Sequence, residues 1–112
     1  MKNPTVLDDD IAYLFIHHKG QLLATAIDFV DVPLLSGMNV KWSISETNGR
    51  PFVRANVPAS DTALGHRTVY LHRLLTRASR GAKVCHLNGN TLENCRRNLA
   101  CAAPPAVEDM AA

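Results

Sequence analysis

The sequence predicts an α+β fold, in which a small antiparallel sheet with one short helix precedes a second unit of helix, strand, loop and helix. Three observations support this prediction. Apolar and polar residues alternate over short segments of the first half, and glycine-containing dipeptides separate those segments. In the second half, leucines recur instead at the spacing of an amphipathic helix.

Two dipeptides in the first half, Lys19-Gly20 and Asn48-Gly49, are typical of hairpin turns. Between the two hairpins, Asp28 is suited to cap a short helix over residues 29–35. The alternation around Trp42 predicts a half-buried strand with this side chain in the core. The strands predicted beside the two turns cover residues 11–16, 21–26, 40–44 and 52–57.

The second half is predicted to contain two helices with one strand between them. Leu71, Leu74 and Leu75 share one side of the first helix, which ends at Gly81. The loop Asn88-Gly89-Asn90 separates the strand from the last helix. In order, the predicted elements are a polar loop over residues 58–65, a helix over 69–78, a strand over 83–87 and a helix over 92–99.

The length of 112 residues suits one modest core. We expect a single domain over residues 1–102 and a flexible tail over residues 103–112, which contain Pro104-Pro105. No apolar run approaches the roughly 18 residues of a membrane span, and residues 1–10 lack the apolar stretch of a signal peptide. With three cysteines, an odd number, the chain lacks a secreted disulfide framework. These observations predict a cytoplasmic protein without a membrane partner.

Basic residues are concentrated in one segment. Residues 66–97 contain seven basic residues and one acid, Glu93, so this segment carries a net charge of +6 and the rest of the chain −4. A basic block in a nearly neutral protein favours a polyanionic partner. The residues that we predict to bind such a partner are Arg73, Arg77, Arg80, Lys83, Arg96 and Arg97.

A motif lies inside the basic block. It consists of YLHRLL over residues 70–75 and VCHLNGNTLENCRRNL over residues 84–99. This motif resembles the signature of the HNH endonuclease family, and most closely that of the small HNH proteins of phages and homing elements. The resemblance covers residues 15–101, since Lys19-Gly20, Asp28 and Trp42 also match. It implies a single HNH-like domain with a ββα-metal core, two short strands and a helix around one divalent ion.

The resemblance also implies roles for three residues. Hydrolysis of a phosphodiester needs a base that activates water and a cation that neutralises the leaving oxygen. In this family the base corresponds to His86, while Asn98 orients it and Asn94 holds the same turn. The cation is a hard ion such as Mg²⁺, which prefers oxygen ligands.

The motif departs from the family pattern where the metal should bind. Cys85 replaces the aspartate that precedes the catalytic histidine, and a thiol is a poor ligand for Mg²⁺. The last ligand position falls on Val107, and neither His nor Asn follows Asn98. Two arginines of the pattern are replaced by Cys95 and Ala100. We therefore predict that catalysis has been lost, since the chemistry of a metal site fails with its ligand set.

Two functions remain as hypotheses. In the first, the protein is an HNH-derived phage or mobile-element binding module without a cofactor. Its partner is a host protein or ribonucleoprotein complex, such as a defence nuclease that it inhibits, or DNA at the basic face. In the second, it is a weak nicking endonuclease that depends on Mg²⁺ or another divalent ion. The cysteines lack the paired spacing of a zinc site, so we predict no metal ligands.

Overall fold

Antiparallel sheet dominates the computed structural model, which describes residues 2–58, 66–79 and 81–102. Strands make up 51% of the structure and helices 19%, arranged as three small sheets with short helical segments. The predicted α+β fold with a ββα-metal second unit is therefore wrong, and the fold is β-rich. Within the described residues, no helix is long and apolar enough to cross a membrane.

The first sheet has the strand order β1-β2-β3, with β1 at Thr5–Asp8, β2 at Ile11–His18 and β3 at Gln21–Asp28. The predicted turn at Lys19-Gly20 is confirmed, and both of its residues have positive φ angles, 50° and 76°. This conformation matches the twist of a two-residue hairpin. Strand β1 was not predicted, because its mostly exposed residues do not alternate between apolar and polar.

A short helical segment follows β3, but the predicted cap is wrong. A 3₁₀ helix at Phe29–Asp31 runs into α1 at Val32–Ser36, and Asp28 makes no side-chain cap hydrogen bond. Its Oδ2 instead accepts from the backbone N–H of Arg96 at 2.9 Å. The carboxylate therefore satisfies a distant backbone donor rather than the helix that follows it.

The second sheet has the order β4-β5-β6, with β4 at Ser43–Thr47, β5 at Arg50–Pro58 and β6 at His66–Tyr70. The predicted hairpin turn at Asn48-Gly49 is confirmed. The strand β6 was missed, because residues 69 and 70 had been assigned to the following helix. Pairing with β5 places these two residues in an extended strand, so α2 covers only Leu71–Thr76. Of the predicted polar loop, residues 59–65 lie outside the described part of the chain.

The third sheet pairs β7 at Lys83–His86 with β8 at Leu99–Ala102. The predicted helix over residues 92–99 is wrong, since only a 3₁₀ helix at Arg96–Asn98 precedes β8. The Asn98 amide donates to the backbone oxygen of Glu93 at 2.9 Å. Side-chain hydrogen bonds of this kind compete with helix formation. The predicted tail over residues 103–112 lies outside the described residues.

One core joins the first two sheets and the helices. Trp42 is fully buried, as predicted, and Val40 and Ile44 are buried with it. The amide of buried Asn3 spans the backbone of Trp42: it donates to the carbonyl oxygen at 2.9 Å and accepts from the N–H at 2.7 Å. Other fully buried apolar side chains of this core include Ala12, Leu14, Ile27, Leu35 and Leu71.

Candidate functional site

His86 ends β7 and is oriented by a chain of hydrogen bonds that reaches the first sheet. Its Nε2 lies 2.9 Å from Oδ1 of Asn94, whose Nδ2 donates to Oγ1 of Thr25 at 2.7 Å. The Thr25 hydroxyl in turn donates to the carbonyl oxygen of Leu92 at 2.7 Å. Because that hydroxyl accepts from Asn94, the amide oxygen of Asn94 faces His86 and Nε2 must donate to it. In the neutral imidazole, Nδ1 is then the basic nitrogen.

Asn98 braces the loop between β7 and β8. Its Oδ1 accepts from the backbone N–H of Asn88 at 3.0 Å, and its Nδ2 donates to Oδ1 of Asn88 at 2.9 Å and to the backbone oxygen of Glu93. Asn98 is buried, and these hydrogen bonds engage both the oxygen and the nitrogen of its side-chain amide. The structure thus brings His86, Asn94 and Asn98 into one loop, with the two amides engaged inside the protein.

The residues around His86 do not fit a hard divalent cation. The exposed Cys85 occupies the position before His86, so a thiol stands where the family has a carboxylate. In the register of β7 and β8, Cys85 is opposite Ala100 and Val84 is opposite Cys101, so the two exposed cysteines project to opposite faces. The described residues include no group of three His, Cys, Asp or Glu side chains that could hold a metal ion. Val107, the expected last ligand position, lies outside them.

Cys95, the third cysteine, is a buried core residue. Its side chain is fully buried, and burial, together with the nearby charge of Asp28, raises the pKa of the thiol to about 11. The thiol is therefore neutral at physiological pH and contributes packing rather than a thiolate ligand.

His72 lies beside His86 in a group of four rings. The ring centroids of His72 and His86 are 5.2 Å apart, and those of Phe52 and Tyr70 lie 5.5 and 5.8 Å from His72. Burial, followed by the charges of His86 and Arg73, lowers the pKa of His72 to about 4. His72 is therefore a neutral ring at physiological pH.

Two of the predicted binding arginines make internal contacts. The guanidinium of Arg96 binds the carboxylate of Asp31 twice, through Nε at 3.0 Å and Nη2 at 2.5 Å, and Asp31 is almost fully buried. Arg73 donates to the backbone oxygens of Ala82 at 2.6 Å and Ser79 at 2.9 Å. Both side chains therefore hold the fold together, which the sequence analysis did not anticipate.

Three of the other predicted basic residues, Arg77, Lys83 and Arg97, are exposed and line different concavities. Arg77 lines a groove of about 760 Å³ between β6 and α2, together with Arg67 and Arg73. Lys83 lines a cavity of about 410 Å³ beside His86. Arg97 lines a cavity of about 390 Å³ that it shares with four aspartates, Asp8, Asp9, Asp10 and Asp28. Arg80 lies outside the described residues.

Sequence reasoning missed four residues of these surfaces. Arg67 lines the groove beside Arg77, and Arg50 lines the cavity beside Lys83. The other two, Phe52 and Tyr70, line a third cavity of about 250 Å³ together with His72. The alternation of β5 already separates Phe52 from its buried neighbour Val53. That Tyr70 belongs to the same surface follows only from the pairing of β6 with β5.

Comparisons of the chain with protein-family models, with curated proteins and with solved structures each find no match. The resemblance to HNH proteins therefore rests on the motif of residues 70–75 and 84–99 and on the matches at Lys19-Gly20, Asp28 and Trp42.

Proposed function

We propose that this protein is a catalytically impaired, HNH-derived binding module of a phage or mobile element that acts in the host cytoplasm. The observation that carries the proposal is the exposed thiol of Cys85 next to an oriented His86. The loop keeps its internal hydrogen bonds, whereas the oxygen ligand that a hard cation needs is replaced. A hydrogen-bonded loop without the oxygen ligand of the metal favours a binding role.

The basic surfaces support nucleic acid as the partner. Among the described residues, no Asp or Glu lines either the groove beside Arg77 or the cavity beside Lys83. Such acid-free basic concavities attract phosphates. The other form of the proposal is a host protein or ribonucleoprotein complex, such as a defence nuclease that the module inhibits.

A weak nicking endonuclease is the second candidate. The observation that favours it is the orientation of His86, whose Nε2 is held by Asn94. Its Nδ1 could then accept a proton from water, as a general base does. This candidate requires a divalent ion whose ligands come from outside the described residues or from the substrate.

The nicking of supercoiled plasmid DNA distinguishes the two candidates. We expect the wild-type protein, incubated with Mg²⁺, Mn²⁺ or Ni²⁺, to nick no more than a His86→Ala variant, because the missing oxygen ligand prevents metal-assisted hydrolysis. Replacement of the exposed His17 by Ala serves as the matched control. Nicking that persists in His17→Ala and disappears in His86→Ala would establish the endonuclease and overturn the proposal.

A further inference from the structure

One face of the second sheet is not covered by the core. Directly opposite residues of paired strands project to the same side, and the register pairs Arg54 with Tyr70 and Thr47 with Arg50. All residues of this face whose burial is described are exposed or half-buried, whereas Val53 and Ala55 on the other face are buried. We call the uncovered side of β4, β5 and β6 the outer face.

The outer face carries aromatic rings outside the apolar core. Phe52 and Tyr70 belong to neither the buried core cluster nor the half-buried apolar residues that pack against it. They are half-buried, and the ring of His72 contacts both. A cavity of about 250 Å³ opens between these rings and is also lined by Thr47 and Arg73. Aromatic rings that lie outside the core and are half-exposed can offer a flat apolar surface to a ligand.

Basic residues lie on both sides of the ring cavity. Tyr70 and Arg73 also line the groove that holds Arg77. Arg67 lines this groove as well, at the edge strand β6, although its pairing with Val57 places it on the side of the sheet opposite to Tyr70. On the other side, Phe52 also lines the cavity that holds Arg50 and Lys83. Within the described part of the chain, no acidic residue lines any of the three concavities. Because neighbouring concavities share lining residues, we treat the three as one basic track. Four of the described acids, Asp8, Asp9, Asp10 and Asp28, instead line the cavity beside Arg97.

We infer that the outer face binds single-stranded nucleic acid, with bases stacked on Tyr70 and Phe52 and phosphates held by the basic residues on either side. This inference deepens the proposed function and rests on it. Bases are free to stack on side chains only when they are unpaired, and alternating rings and cations are the two requirements of a single-strand track. The neutral ring of His72 adds stacking surface without a charge that would need a partner.

Two other polyanions make less use of the same surface. A duplex keeps its bases stacked inside, so its phosphates would contact the cations and leave the rings unused. An acidic peptide would likewise pair with the arginines without a need for three adjacent rings. The combination of rings and cations in one track therefore favours the single strand.

The test is fluorescence anisotropy with the full chain. The probes are a labelled oligothymidylate and a duplex of equal length. The strand is about 15 nucleotides long, which matches the binding-site size of ~4–16 nucleotides in small single-strand-binding domains. We expect the single strand to bind at least about tenfold more tightly. Tyr70→Leu should weaken single-strand binding on the order of tenfold, because one stacked base is lost, and should leave duplex binding unchanged. Tyr70→Phe keeps the ring and should bind as the wild type does.

A second measurement covers the case in which Tyr70→Leu fails to fold, as thermal melting would reveal. Ultraviolet crosslinking of the wild-type protein to a bromouracil-containing strand should then attach the strand to the peptides of Tyr70 or Phe52. Crosslinks found only elsewhere would overturn the inference.

The remaining outcomes separate this inference from the proposed function. Equal affinity for strand and duplex, or a Tyr70→Leu variant that folds and binds normally, overturns the single-strand inference and leaves a nucleic-acid-binding module. Binding of neither probe also overturns it and favours the form of the proposal in which the partner is a protein. Nicking that depends on His86 overturns the proposed function, whereas the strand preference is decided by anisotropy alone.

Discussion

His72 and His86 are neighbouring imidazoles whose surroundings give them different properties. His86 is held through Nε2 by the amide of Asn94, whereas burial and the charges of His86 and Arg73 lower the pKa of His72 to about 4. Two rings with centroids 5.2 Å apart disfavour a charge on both. At the scale of the residue, the site therefore holds one oriented histidine and one that stays neutral.

The lowered pKa of His72 predicts a pH-dependent stability. Between about pH 6.5 and pH 4, the unfolded chain binds a proton at this residue and the folded chain does not, so the free energy of unfolding falls as the pH falls through this window. Allowing for the partial solvent access of the ring, we expect a loss of about 1–2 kcal/mol. Urea titrations across this pH range would measure it.

The control for this prediction is a pair of histidine variants. His72→Gln should remove the loss between pH 6.5 and pH 4, while the exposed His17→Gln should retain it. Carboxylates titrate in all three proteins and cancel in the comparison. Identical pH profiles for wild type and His72→Gln would contradict the assignment.

Backbone hydrogen bonds connect the loop between β7 and β8 to the first sheet. The backbone N–H of Ala26 in β3 donates to the oxygen of Leu92 at 2.9 Å, and its oxygen accepts from the N–H of Asn94 at 2.7 Å. The ion pair of Arg96 with Asp31 adds a link between the two 3₁₀ helices. At the scale of the element, this pair and the loop hold the His86 strand in place.

The ion pair predicts that two adjacent arginines differ in their effect on stability. Arg96→Ala leaves the carboxylate of Asp31 buried without its partner, so we expect it to lower the free energy of unfolding by about 2 kcal/mol; the value is below that of a fully buried pair because Arg96 is half-exposed. Arg97→Ala removes the same charge from an exposed side chain and should cost less than about 0.5 kcal/mol. Chemical denaturation of both variants would measure the difference, and equal losses would contradict it.

Basic and acidic side chains line different concavities in the described part of the chain. Arg67, Arg77, Arg50 and Lys83 line concavities without a described acid, whereas Arg97 shares its cavity with four aspartates. The net charge of +2 therefore underestimates the positive potential of the basic track. This separation, rather than the count of basic residues, defines where a polyanion would bind.

The segregation predicts which arginines contribute to the salt dependence of binding. On single strands, each phosphate contact contributes a slope of about −0.7 to the dependence of log affinity on log salt. The double variant Arg67→Ala and Arg77→Ala should therefore flatten the slope by about 1.4. Arg97→Ala should leave it unchanged, because that side chain faces the acidic cavity. Anisotropy titrations over a series of salt concentrations would test both, and an equal effect of Arg97→Ala would contradict the basic track.

Features that depend only on neighbouring residues could be predicted from the sequence. The turns at Lys19-Gly20 and Asn48-Gly49 were predicted because such dipeptides adopt positive φ angles locally. The burial of Val40, Trp42 and Ile44 follows from the alternation of the sequence, although the strand predicted over residues 40–44 begins only at Ser43. The loop residues His86, Asn94 and Asn98 were selected from the motif, and the structure places them in one hydrogen-bonded loop.

Strand pairing and the partners of charged side chains depend on contacts between distant segments, so they could not be predicted from the sequence. Residues 69–70 and 99 were assigned to helices from local spacing, but they lie in β6 and β8 because distant strands supply their hydrogen bonds. Arg96 and Arg97 are identical neighbours in the chain. They differ because Asp31, which precedes Arg96 by 65 positions, is buried beside one of them and binds it. A charge on the chain becomes a structural contact or a binding group according to what the fold brings next to it.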